Sequence, residues 1–72
     1  MSEVDYVIEY IKTQIESIKK SIAETEEIIR LSELMGIDVS AYKIKLEELK
    51  KRLKQYEDGL NRYVSSRGSK AR

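Results

Sequence analysis

Along the first half of the chain, apolar residues recur at intervals that alternate between four and three. Val4, Ile8, Ile11, Ile15, Ile18, Ile22, Thr25, Ile29 and Ser32 keep that spacing without a slip. This is the period of about 3.5 residues that defines a coiled-coil seam. Ile8, Ile15, Ile22 and Ile29 take the a positions; Val4, Ile11, Ile18, Thr25 and Ser32 take the d positions. A second ladder follows in Val39, Tyr42, Leu46, Leu49, Leu53, Tyr56, Leu60 and Tyr63, alternating three and four. Two long amphipathic helices are predicted, each with one narrow apolar stripe.

Between the ladders lie Leu34, Met35, Gly36, Ile37 and Asp38. Gly36 suits the left-handed residue that ends a helix, and Ile37 can fold back toward Leu31 as in a Schellman stop. Asp38 or Ser40 can then cap the next helix. At the start, Ser2 and Asp5 resemble a capping box with Asp in place of the usual Glu. The expected elements are a helix over about 3–35, a turn at 36–38 and a helix over about 39–65, rods of roughly 50 and 40 Å. A connection this short makes neighbouring helices antiparallel. The expected fold is therefore all-α: a two-helix antiparallel coiled-coil hairpin forming one domain over 1–66, with residues 67–72 as a flexible basic tail.

Charge patterning tests the register. The e positions of the first helix are Lys12, Lys19, Glu26 and Glu33; those of the second are Lys43, Lys50, Glu57 and Val64. Folding about the turn opposes positions whose numbers add to about 76. Glu33 then meets Lys43, Glu26 meets Lys50, and Lys19 meets Glu57, all opposite in sign. Tyr42, Tyr56 and Tyr63 are large for a two-stranded seam, so their phenol tips are expected to lie wet at its edge. The small Thr25 and Ser32 leave room for the Tyr42 ring.

Composition narrows the chemistry. The 72 residues contain 40% hydrophobic and 38% charged side chains, three Gly and no Pro, which favours uninterrupted helix. Without Cys or His there is no disulfide, no zinc site of the usual kind and no histidine-based acid–base catalysis. Glu24, Glu26 and Glu27 sit on a helix flank with no cleft to raise a carboxyl pKa, and the glycines form no phosphate-cradling loop. No enzyme, cofactor or small-molecule substrate is expected. No signal peptide is recognisable and no apolar run approaches the ~20 residues of a membrane span, so a soluble, cytoplasmic protein is expected. The richness in Lys and Glu is of thermophilic type, and an AT-rich genome gives a similar bias.

A hairpin this small buries little core, and such hairpins tend to pair into four-helix bundles or dock on a larger protein. The g row of the first helix, Val7, Gln14, Ser21, Ile28 and Met35, is apolar at its ends and polar between them. That of the second helix, Lys45, Arg52, Gly59 and Ser66, is not apolar. Outward-facing apolar residues gather at the two ends instead. Tyr6, Val7 and Tyr10 lie at the open end; Leu31, Leu34, Met35, Ile37 and Ile44 lie around the turn. These eight are the candidate protein-interaction residues, although the turn cluster can also be read as a cap on the hairpin core. The plan resembles, in architecture alone, the ROP-like class of dimeric helical hairpins and small viral adaptor hairpins. An adaptor, assembly factor or accessory subunit is the expected function, with another protein or a second copy as partner.

The alternative is nucleic-acid binding. Residues 1–38 carry net charge −5 and residues 39–72 carry +6. Lys50, Lys51, Arg52, Lys54, Arg67, Lys70 and Arg72 could follow a phosphate backbone. Against that, Glu47 with Lys51 and Glu48 with Arg52 have the spacing of ordinary i,i+4 pairs on a solvated face. Residues 31–42 also resemble the turn of a helix-turn-helix DNA reader, in Ser32, Gly36, Ile37 and Tyr42. Lys45 falls where that motif wants a buried apolar residue, and the first helix is far longer than the motif's.

Overall fold

The computed structural model describes residues 2–70, with side chains through 67. Two helices account for nearly all of it: α1, Glu3–Leu34, and α2, Ser40–Lys70. Ser2 begins α1 with extended backbone, and its Oγ accepts the Asp5 N–H at 3.2 Å. That is half of the expected capping box. The Asp5 carboxylate does not return to Ser2 but stands 3.7 Å from the Arg67 guanidinium on α2. Glu3 and Asp5 also place negative charge at the positive end of the α1 dipole.

The stop at the end of α1 follows from Gly36, whose φ of +73° is accessible to glycine at little cost. The turn lets the Ile37 N–H donate to the Ser32 carbonyl at 2.8 Å and the Gly36 N–H to the Glu33 carbonyl at 3.1 Å. This is the Schellman pattern, and it satisfies carbonyls that would otherwise end the helix unpaired. Asp38 then organises the start of α2. Its Oδ1 accepts the Ser40 N–H at 3.0 Å and the Ser40 hydroxyl at 2.7 Å. These two bonds, the hydroxyl's first, hold the Asp38 carboxyl below the usual carboxylate range. The Val39 carbonyl takes the first helical bond, from Lys43 N–H at 2.9 Å. At its other end α2 passes the expected stop near 65 and continues to Lys70, so the backbone of 67–70 is helical; Arg72 lies outside the described residues.

The helices pack antiparallel into a rod of 57 × 20 × 13 Å. Its radius of gyration is 16.7 Å, against about 11 Å for a globular chain of this length. The core is accordingly a line rather than a ball. Ile15, Ile18 and Val39 are buried, as are Thr25 and Ser32. Thr25 is the most enclosed, at 3% exposure, and tolerates burial because its hydroxyl donates to the Ser21 carbonyl one turn back, at 2.7 Å. Ile8, Ile11, Ile22, Ile29, Leu46, Leu49, Leu53 and Leu60 are half-buried, completing both ladders.

Interhelical ion pairs report the register. Lys19 Nζ lies 3.8 Å from Glu57 and Lys43 Nζ lies 3.4 Å from Glu33, as the e rows predict. Glu26 and Lys50 do not come within ion-pairing distance, so the third expected pair is not formed. Long exposed side chains lose rotamer freedom for a gain of only ~0.2–1 kcal/mol, and such a pair need not close. Tyr42, Tyr56 and Tyr63 are all partly exposed along the seam, as expected for rings too large to be enclosed by it.

Candidate interaction surface

The two flanks of the seam differ. On the e flank, three ion pairs bridge α1 and α2: Asp5 with Arg67, Lys19 with Glu57, and Glu33 with Lys43. The opposite flank, which carries the g rows, has no such bridge among the described residues. There the seam opens toward the chain ends into an apolar groove of about 490 Å³. Val4, Val7, Ile8 and Ile11 of α1 form one wall; Leu60 and Tyr63 of α2 form the other, with Gly59 on the same side and Glu3 at the mouth. Val4 and Tyr63, seam residues by heptad position, are exposed here because the groove is not closed over.

Gly59 explains part of this geometry. It sits inside α2 with no positive φ, and a Cβ built on it would meet nothing within 4 Å. In a g row that is otherwise polar, the missing side chain leaves space on this side of the groove. The signal in the sequence is a glycine between Leu53 and Tyr63, inside the second ladder and away from any turn.

All eight candidate interaction residues are solvent-exposed: Tyr6, Val7, Tyr10, Leu31, Leu34, Met35, Ile37 and Ile44. Leu34, at 81%, is the barest and Tyr6 follows at 69%. They fall into two groups. Tyr6, Val7 and Tyr10 belong to the open end beside the groove, and the rest surround the turn, roughly 40 Å away along α1. Between the groups, Val7, Tyr10, Gln14, Ser17, Ser21, Glu24, Ile28, Leu31 and Met35 form another ladder alternating three and four. It occupies the g and c rows of α1, one helix face beyond the intramolecular seam, apolar at both ends with small or polar residues in its middle.

The basic residues do not make a continuous track. By helical position, Lys50, Lys51 and Lys54 share one arc of α2 with Glu47, Glu57 and Asp58, while Arg52 points to the opposite flank. Lys54 is engaged with Asp58 at 3.1 Å and Arg67 with Asp5 at 3.7 Å. The expected pairs of Glu47 with Lys51 and Glu48 with Arg52 are not formed. Arg72 and the side chain of Lys70 lie outside the described residues.

Among the described residues, no group of three carboxylates is placed to hold a metal ion. No described helix is long and apolar enough to cross a membrane. The class that fold and surface define is a two-helix antiparallel hairpin with one flank closed by charge and one open. Comparison with protein-family models, with curated proteins and with solved structures finds no match for the chain.

Proposed function

We propose that this chain is a non-enzymatic protein-interaction module: an adaptor, assembly factor or small accessory subunit. The observation that carries the reading is the amount of apolar surface left open on so small a molecule. The groove into which the seam opens and the bare residues at both ends stay uncovered in the hairpin, and exposed apolar clusters of this kind mark contact surfaces. Tyr6 and Tyr10 are the favoured anchors, since rigid aromatic rings supply contact area at small entropic cost. The mixed charge of the α2 arc speaks against a phosphate-tracking surface.

The test is quantitative capture by the full chain, in wild-type form and with Tyr6→Ser/Tyr10→Ser. Weakened capture with unchanged helical circular dichroism supports the assignment. Loss of helix in the double variant would show the two rings to be structural, and full capture without them would remove them from the contact.

A further inference from the structure

We infer that the groove and the outer face of α1 are filled by a second copy of this chain, packed antiparallel about Ser21. The inference rests on the interaction-module reading and names its partner. Three independent observations lead to it.

The first is area. The chain exposes 6016 Å², whereas a compact monomer of this length exposes about 4,600 Å². The excess of roughly 1,400 Å² is well above the ~800 Å² that each partner contributes to a contact of ordinary size. Two chains covering their excess on one another bury about 2,800 Å², which falls in the range of about 2,000–5,000 Å² typical of obligate homodimers.

The second is self-complementarity. Val7 and Met35 are equidistant from Ser21, and Tyr10 and Leu31 are nearly so. A twofold axis at Ser21 therefore lays the apolar open end of one copy on the apolar turn end of the other, with Ile28 opposite Gln14. The small side chains of Ser17 and Ser21 let the helices approach closely at the centre. A parallel arrangement would set Glu24 against Glu24 and align the two helix dipoles, both unfavourable. The antiparallel one sets Glu24 opposite Ser17. Contacts of this isologous kind close on themselves as dimers.

The third is Gly59. Helix-interior glycine weakens a helix, and nothing within the monomer requires it: its φ is not positive and the space beside it is empty. That space opens on the groove at about the level of Ser17 of α1, where Ile28 is the nearest apolar residue that the antiparallel arrangement delivers from the second copy. The absent side chain makes room for that one.

Sedimentation equilibrium of the full chain tests the assembly, and introduced cysteines test its direction, because the native chain has none to interfere. The wild type should sediment as two chains at micromolar concentration. Gly59→Leu, which fills the groove with a good helix former, should weaken association at least tenfold while helical signal is kept or increased. Oxidation of a mixture of Val7→Cys and Met35→Cys chains should give the mixed disulfide, and Val7→Cys alone should give none. A one-chain mass up to millimolar concentration overturns the inference, as does an unweakened Gly59→Leu dimer. A disulfide dimer from Val7→Cys alone overturns the antiparallel pairing. A monomer that still captures another protein through Tyr6 and Tyr10 would sink the self-pairing and leave the interaction-module assignment standing.

Discussion

Replacing each of two glycines by alanine should move stability in opposite directions. At Gly36 the backbone holds φ at +73°, and a Cβ there meets no other atom within 4 Å. The whole penalty is therefore the left-handed backbone itself, roughly 1–2 kcal/mol for a residue with a Cβ. Alanine also restricts the unfolded chain, which returns about 0.4–1 kcal/mol. The net expectation for Gly36→Ala is a loss of about 1 kcal/mol. At Gly59 the backbone is ordinary helix with open space beside it, so Gly59→Ala gains the helix-propensity difference, about 0.8–1 kcal/mol.

The two variants should thus differ by about 2 kcal/mol. For a domain of this size one kcal/mol shifts the melting midpoint by about 4–8 °C, so a gap of about 8–16 °C is expected. Thermal melts followed by far-ultraviolet circular dichroism resolve it easily. They should be run at one fixed low chain concentration, because self-association makes a midpoint depend on concentration. Gly36→Asn serves as the control: asparagine tolerates the left-handed region and should fall between wild type and Gly36→Ala. The refuting result is a stabilisation by both alanines. In a single continuous helix each glycine would be an interior helical residue, and the hairpin reasoning would fail with the sign at Gly36.

Two further outcomes follow from particular residues. Asp38 titrates below the usual carboxylate range because Ser40 donates two hydrogen bonds to its ionised form, so its contribution is present at neutral pH and fades as pH falls through that lowered value. The melting gap between wild type and Asp38→Ala should be constant above the ordinary carboxylate range and shrink below it; a gap that widens on acidification would contradict the assignment. Mobility-shift titration with duplex and single-stranded nucleic acid at two salt concentrations should show no binding, since Lys50, Lys51 and Lys54 alternate with carboxylates. Salt-sensitive binding at low ionic strength would instead revive the basic-helix alternative.

Much of the fold was legible because its determinants are local and periodic. The Ile and Leu/Tyr ladders define one stripe per helix, Gly36 supplies the only left-handed backbone in the described chain, and Asp38 and Ser40 carry capping chemistry. Lys19 with Glu57 and Glu33 with Lys43 followed from heptad arithmetic. What escaped the sequence depends on atoms brought together from both helices. The second ladder ends at Tyr63, and periodicity therefore predicts an end of α2 near 65 rather than at Lys70. The contact between Arg67 and Asp5, which ties that end to the first turn of α1, is a tertiary feature with no local signature. The groove was hidden for the same reason: its walls come from different helices and its width from a side chain that is not there.

The asymmetry between the two flanks has a consequence for how the molecule can be altered. Both flanks border the same seam, yet one is finished by exposed ion pairs and the other by nothing. Exposed ion pairs contribute little individually but penalise a slipped register, in which like charges would meet. Changes on the e flank should therefore disturb which residues of α1 face which of α2, with modest effect on any partner. Changes on the g and c rows touch no interhelical ion pair and lie outside the buried line from Ile15 to Val39. They should alter association while the hairpin stays folded. Such a division of labour is not available to a globular domain of the same length, whose few faces all back onto one core; it arises here because the rod keeps its core to a single line.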